Sequence, residues 1–271
     1  MDIQWLIATG SDRIYSVGDV LMEPQKNVSY VISHQTMGNQ YDALPEKLKR
    51  PDVQVYQLEG SGLSINRNHA LKKATGEIVV IADDDIRLKP SYAERILKLF
   101  KAQKDIDVAC FMICTTESGE AYKKYPKEPQ YLTTLKALKG VSSIEIAIRR
   151  KSIIKKNICF DERFGLGKKA DCGEEYLFLA SCLKKGLKIY FSPQFVVEHS
   201  AISSVNQRSI FEEKRLFVTG AQNYVLYGKI AYLWHFLAMI RRLSQLKKEG
   251  IAPIHFLRMK NAGCKYIQNT P

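Results

Sequence analysis

The sequence predicts an α/β fold with a mainly parallel central sheet flanked by helices, followed by a helical C-terminal extension. Three observations carry this prediction. Apolar runs of strand length alternate with helical stretches over the first 115 residues; three consecutive carboxylates, Asp83-Asp84-Asp85, close one of those runs; and from about Phe217 the pattern turns helical and basic. Strands that alternate with helices imply right-handed crossovers and parallel pairing.

Taken in order, Ile3 to Thr9 reads as a first strand, Asp19 to Met22 as part of a helical or irregular connection, and Val28 to Ser33 as a second strand. Val53 to Leu58 gives a third strand. After Gly60-Ser61-Gly62 comes a helix whose face holds Leu63, Ala70, Leu71 and Ala74, with Gly76 just past its end. Ile78 to Ala82 is a buried strand that delivers the three aspartates at its carboxyl end. Pro90 starts a helix with Tyr92, Ala93, Ile96, Leu97 and Phe100 on one stripe, and Val108 to Cys114 is the next buried strand. Thr115 to Pro129 is polar and reads as a mobile loop. Ile144 to Ile148, Leu187 to Phe191 and Phe195 to Val197 read as further short strands.

Composition bounds the class. The chain has 271 residues, 45% of them hydrophobic and 25% charged, which are globular values that exclude wholesale disorder. The first ten residues lack the basic start and cleavage site of a signal peptide, so they are expected to be structure. The six cysteines lie mostly in apolar segments without CxxC pairs and read as reduced cytosolic thiols. The net charge is +13, and most of it lies in the tail: 11 Lys+Arg face 3 Asp+Glu after residue 200, against 30 and 25 before it. Because the tail's cations alternate with Trp234, Phe236, Leu237, Met239 and Ile240, the pattern favours a membrane surface or protein groove over nucleic acid.

In open α/β sheets ligands bind at the carboxyl ends of the strands. Adjacent carboxylates there repel unless something positive lies between them, and oxygen-rich clusters suit a hard divalent cation, Mn2+ or Mg2+. The expectation is a metal-assisted site for phosphate-bearing substrates.

The run from Gly62 through Asn66-Arg67-Asn68 and Gly76-Glu77 to Asp83-Asp84-Asp85 resembles the nucleotide-sugar domain of family 2 glycosyltransferases. A second match is Phe160-Asp161-Glu162-Arg163-Phe164-Gly165-Leu166-Gly167, with Gly173-Glu174-Glu175 opening a helix, and a third is Val196-Val197-Glu198-His199. The resemblance implies a GT-A fold and transfer of a sugar, with inversion, from a nucleotide-sugar to a glycan or lipid-linked acceptor. It makes Asp85 and His199 metal ligands. Asp83 contacts the ribose or the metal shell, and Asp84 takes the variable middle position on the donor side. Glu175 becomes the base that takes the acceptor's proton, with Glu174 positioning the acceptor; a helix N-terminus favours ionised carboxylates at both. Of the Arg67-Asn68 pair, Arg67 either meets a phosphate or holds the carboxylates, and Asn68 is a contact to the nucleotide-sugar. The family's first strand usually ends Pro-Thr-Tyr-Asn and its second in an aspartate that reads the base. Here Thr9 and Gln35 stand at those strand ends as donor contacts, and the base is open among uracil, guanine, cytosine and thymine. His34, His69, His235 and His255 are expected to be structural.

The expected organisation is a catalytic domain over residues 1–205, with a donor half to about 115 and an acceptor half beyond it, and a basic extension over 206–271. The apolar run Ile230 to Ile240 is too short to span a bilayer. It is either a core helix or an interfacial one that carries the enzyme to an anionic cytoplasmic membrane face. Two rival classes remain at this stage: a metal-dependent nucleotidyltransferase, and a non-catalytic nucleotide-sugar binder. No nucleic-acid motif is present, so no nucleic-acid partner is expected.

Overall fold

The computed structural model describes residues 1–38, 41, 43–200 and 211–270. In chain order the elements are β1 (Ile3–Gly10), β2 (Val28–Gln35), β3 (Val53–Leu58), α1 (Leu63–Lys73), β4 (Ile78–Asp83), α2 (Pro90–Ala102), β5 (Val108–Thr115), β6 (Gln130–Tyr131), α3 (Leu135–Leu138), β7 (Ile146–Arg149), α4 (Arg150–Lys155), α5 (Glu174–Lys184), β8 (Ile189–His199), α6 (Glu213–Tyr227), α7 (Ile230–Arg241), α8 (Leu243–Lys248) and α9 (Pro253–Asn269). Short 3-10 turns at Ser11–Tyr15, Val17–Asp19, Glu46–Leu48 and Ser143–Glu145 fill connections.

Among the described residues the strands form one sheet in the order β3-β2-β1-β4-β7-β5-β8-β6. The β3-β2-β1-β4 half is parallel throughout. The other half is mixed, because β7 runs antiparallel to both β4 and β5, while β8 is parallel to β5 and β6 antiparallel to β8. Apolar runs are continuous because both faces are covered. Along β4, Ile78, Val80 and Ala82 enter one core layer with Trp5 and Phe100, while Val79 and Ile81 enter the other with Phe160 and Phe178.

Four expectations change. The segment at Ile144 is a 3-10 turn fastened by a capping box, in which the Ser142 amide donates to Glu145 (3.0 Å), so β7 starts at Ile146. The two strands expected around Pro193 are the single strand β8; its ladder with β5 shifts register on either side of Met112, which accommodates a residue without an N–H. The loop after β5 is pinned, since the Tyr125 hydroxyl accepts from the Ile113 amide (3.0 Å) and donates to buried Glu145 (2.7 Å), and Lys123 pairs with the same carboxylate. Finally, α1 buries a polar face of Ser64, Asn66 and Arg67 alongside Ala70, where the sequence pattern pointed to Leu63, Ala70, Leu71 and Ala74.

The expected boundary at 205/206 lies outside the described residues. Beyond it, α6 and α9 pack on each other and on the sheet domain: Phe217, Val218, Ala221 and Ile267 share a cluster with Phe164, Ala170 and Leu177. The Tyr266 hydroxyl donates to the Arg163 carbonyl (2.9 Å), tying α9 to the 160–167 segment. Among the described residues, no helix is long and apolar enough to cross a membrane.

Candidate active site

The register places β1 and β4 ends side by side, with Ala8 opposite Asp83, so Thr9 and the three aspartates meet at the carboxyl edge of the parallel half. A cleft of about 440 Å³ opens there, lined among others by Thr9, Gly10, Arg13, Asn66, Asp84 and Leu166.

The three aspartates have different surroundings. Asp84, the middle one, is buried; it accepts from the Thr9 hydroxyl (2.6 Å) and pairs with Arg13. Burial pushes its carboxyl up to about 6, against the pull of Thr9 and Arg13. Asp85 is half-exposed and lies 3.6 Å from His199 Nε2 and 3.4 Å from Arg13. The His199 imidazole beside it holds its carboxyl below the usual range, and the carboxylate raises the imidazole in return. Asp83 turns the other way and accepts from Arg67 (2.8 Å).

His199 reaches Asp85 because backbone bonds in both directions between Arg87 and Glu198 (2.9 and 3.0 Å) join the end of β8 to the chain just past Asp85. Its Nδ1 lies 2.8 Å from the Ser200 carbonyl, which can only accept, so Nδ1 carries a proton and Nε2 is the nitrogen that faces Asp85. Glu198, its neighbour, accepts from the Tyr92 hydroxyl (3.0 Å) and pairs with Lys89.

Arg67 joins the two ends of the site. Its side chain is 2% exposed and donates to Asp83, to Glu174 (2.7 Å) and to the Ser143 hydroxyl (2.8 Å). Of the two roles left open for it, it holds carboxylates. Glu174 is buried by this pairing, and its second oxygen has no hydrogen-bond partner. Glu175 sits against that group: burial first, then the Glu174 charge, push its carboxyl up to about 8, and Arg67 opposes the shift. The proton that Glu175 keeps is one the orphaned Glu174 oxygen can accept. Both residues follow Gly173, whose φ of +88° is a left-handed conformation that favours glycine; a Cβ there would also meet the Gln222 amide of α6 at 2.0 Å. The extension thus packs on the turn that aims the two glutamates.

Two expected donor contacts are placed differently. Asn68 bonds the Phe160 backbone through both its amide nitrogen (2.9 Å) and its oxygen (2.8 Å), and also Glu162, so it fastens α1 to the 160–167 segment and does not line the cleft. Gln35 is buried and donates to the Gly62 carbonyl (3.2 Å), which makes it a support under the cleft. Asn66 and Arg13, which sequence reasoning passed over, do line the cleft; Asn66 donates to the Thr9 carbonyl (2.8 Å). Asn66 adjoins the Arg67-Asn68 pair and was within reach of the motif, whereas Arg13 sits in a 3-10 turn with no sequence signature.

A divalent cation can be tested against these donors. Among the described residues, no group of three His, Cys, Asp or Glu side chains forms a ready-made metal cluster. Asp85 and Nε2 of His199 nevertheless stand side by side, and Nε2 becomes a ligand once it gives up its proton. Two protein ligands fit a cation whose other positions are filled by substrate phosphates and water, as is usual for Mg2+. Asp83, expected to share the cation, is held by Arg67 instead.

Residues 39–159 match the model of the family described as Glycosyl transferase family 2. That stretch is a little under half of the chain, and over it the chain is similar to family 2 glycosyltransferases. The matched stretch covers Arg67 and the three aspartates and ends before Glu174, Glu175 and His199. Among solved structures, the chain is similar to residues 1–349 of S. aureus TarS, with a TM-score of 0.61 and 16% identity over 83% of this chain and 66% of that one. A second structure of S. aureus TarS gives 0.57 and 15%, over 83% of this chain and 40% of that one. TarS 1–349 in complex with UDP-GlcNAc gives 0.56 and 17%, over 83% and 67%. The likeness places the sheet domain in the GT-A fold. The chain spans about two thirds of the shorter TarS structure and 40% of the longer one. No curated protein matches the sequence.

Proposed function

We propose that the chain is a metal-dependent inverting glycosyltransferase that moves a sugar from a nucleoside-diphosphate donor to a hydroxyl of a glycan or lipid-linked acceptor. The observation that carries this reading is the buried Arg67 bridge, which holds the donor-side acid Asp83 on one terminal nitrogen and Glu174, the neighbour of Glu175, on the other. A displacement at an anomeric carbon needs this layout, with the leaving group held at one end and a base at the other. TarS, a neighbour in fold, has been crystallised with UDP-GlcNAc and with UDP, which supports a uridine donor. The free cysteines among the described residues suit a reducing cytoplasm.

In this reading the acceptor oxygen attacks the anomeric carbon as the bond from that carbon to the diphosphate oxygen breaks, and the acceptor's proton passes to Glu175. Glu175 must first release the proton it shares with Glu174. Glu174, neutralised by Arg67, holds its neighbour and the acceptor in place. Asp84, Thr9, Asn66 and Arg13 shape the donor side, and Asp85 with His199 would hold Mn2+ or Mg2+. When bound, the cation offsets charge on the departing diphosphate.

The test is release of the nucleoside diphosphate from a panel of UDP-, GDP- and dTDP-sugars, and of CMP from a CMP-sugar, with and without Mn2+, for the native chain and Glu175→Gln. Metal-dependent release that the substitution removes, with an inverted anomeric product by NMR, is the expected result. Pyrophosphate release from a nucleoside triphosphate and a sugar phosphate, with no need for Glu175, would instead make the protein a nucleotidyltransferase.

A further inference from the structure

Helix α7 leaves an apolar face uncovered. Ile230, Leu233, Trp234, Phe236, Leu237 and Ile240 are each between 45% and 60% exposed, and they cover about half of the helix circumference. The opposite side is fully engaged: Ala231 and His235 are buried, and the His235 ring bonds Asn223 of α6 (3.1 Å) and Asn261 of α9 (3.0 Å). The helix therefore cannot roll its apolar face inward without breaking this buried polar contact. One side of α7 thus packs on α6 and α9, and the other packs on nothing among the described residues.

Charge decides what would cover it. From Lys214 to Lys248 the sequence has no Asp or Glu. Lys229 is exposed before the first turn of α7, Arg241 is exposed in its last turn, and Lys247 and Lys248 are exposed in α8. A second copy docked on this face would set cations against cations at both ends, which disfavours self-association. An apolar face with a tryptophan, flanked by Lys229, Arg241, Lys247 and Lys248 against the acid Glu249 that follows them, matches an anionic lipid surface, where the rings enter the headgroup boundary and the cations meet lipid phosphates.

We propose that α7 and α8 form a peripheral docking face for anionic membranes. The face lies outside the active site described above, so the inference does not rest on the transferase reading. An enzyme that turns over donor in solution but ignores vesicles would refute this inference alone.

The experiment is co-sedimentation of the full chain with vesicles of phosphatidylcholine alone and of three parts phosphatidylcholine to one part phosphatidylglycerol. The chain has two tryptophans, and Trp5 is buried in the sheet core, so a blue shift of emission on vesicle addition reports Trp234. We expect binding to the anionic vesicles only, a blue shift absent in Trp234→Phe, and release between about 0.1 M and about 0.5 M NaCl. Phe236→Ser with Leu237→Ser should abolish binding without lowering the melting temperature, because both side chains are already exposed. Arg241→Ala should weaken binding about five-fold, in line with one surface cation. Equal binding to neutral vesicles, a folded native chain that binds neither kind, or a concentration-dependent dimer broken by the serine pair would each overturn the proposal.

Discussion

Replacing Arg67 with methionine keeps a long apolar stem and removes a guanidinium that is 2% exposed and donates to Asp83, Glu174 and Ser143. Asp83 is 31% exposed and can be rehydrated, but the Glu174 side chain is 6% exposed and is left as a buried charge without its cation. Breaking a buried pair from one side costs about 3–5 kcal/mol, and most of that loss falls on Glu174 here. For a chain of this size the change corresponds to a fall in Tm on the order of 10 °C. Urea denaturation at pH 7 measures it directly. The double variant R67M/E174Q, which removes both charges, should recover at least about 2 kcal/mol of the loss. A single variant within about 1 kcal/mol of the native chain, or a double variant no better than the single, would refute the claim that the bridge is a buried, mutually neutralising pair.

Glu175→Gln should abolish turnover while leaving nucleotide affinity unchanged in calorimetry; loss of both together would make Glu175 a structural residue. With the Glu175 carboxyl pushed up to about 8, the ionised base gains population as pH rises, so kcat/KM should climb up to about pH 8 and then level off. A profile flat from pH 6 to 9 would contradict that. The sign for stability is opposite: the folded state keeps this proton between 4.5 and about 8 while the unfolded state releases it, so this group lowers stability as pH rises through that window. Gly263→Ala would set a Cβ 2.1 Å from the Phe217 carbonyl, backbone against backbone between α6 and α9, and should cost about 1–3 kcal/mol in urea denaturation. A neutral result would show that the two helices are not in close contact.

The parallel half of the fold was legible because strands buried on both faces leave uninterrupted apolar runs, and the run ending at Ala82 placed the aspartates correctly. β7 was displaced because Glu145 looked like a strand residue, while its carboxylate caps a turn through a bond to Ser142 that periodicity does not register. Asn68 and Gln35 were read as donor contacts from their positions in the chain, but their amides are used on backbone, and position in a sequence does not say which way an amide points. Arg67 could be located but not assigned between phosphate and carboxylate, since that depends on Glu174, 107 residues away. The exposed side of α7 was equally hidden, because an amphipathic pattern is the same whether its apolar side meets a core or a membrane.

The most direct measurement of a metal-dependent nucleotide site at the end of β4 is calorimetric titration of UDP, GDP, CDP and dTDP into the native chain with Mn2+, into the same protein with EDTA, and into Asp85→Ala. One nucleotide should bind with Mn2+, and that binding should be lost both with EDTA and in the variant. Binding that ignores both changes, or no binding of any nucleotide by folded protein, would contradict the central claim.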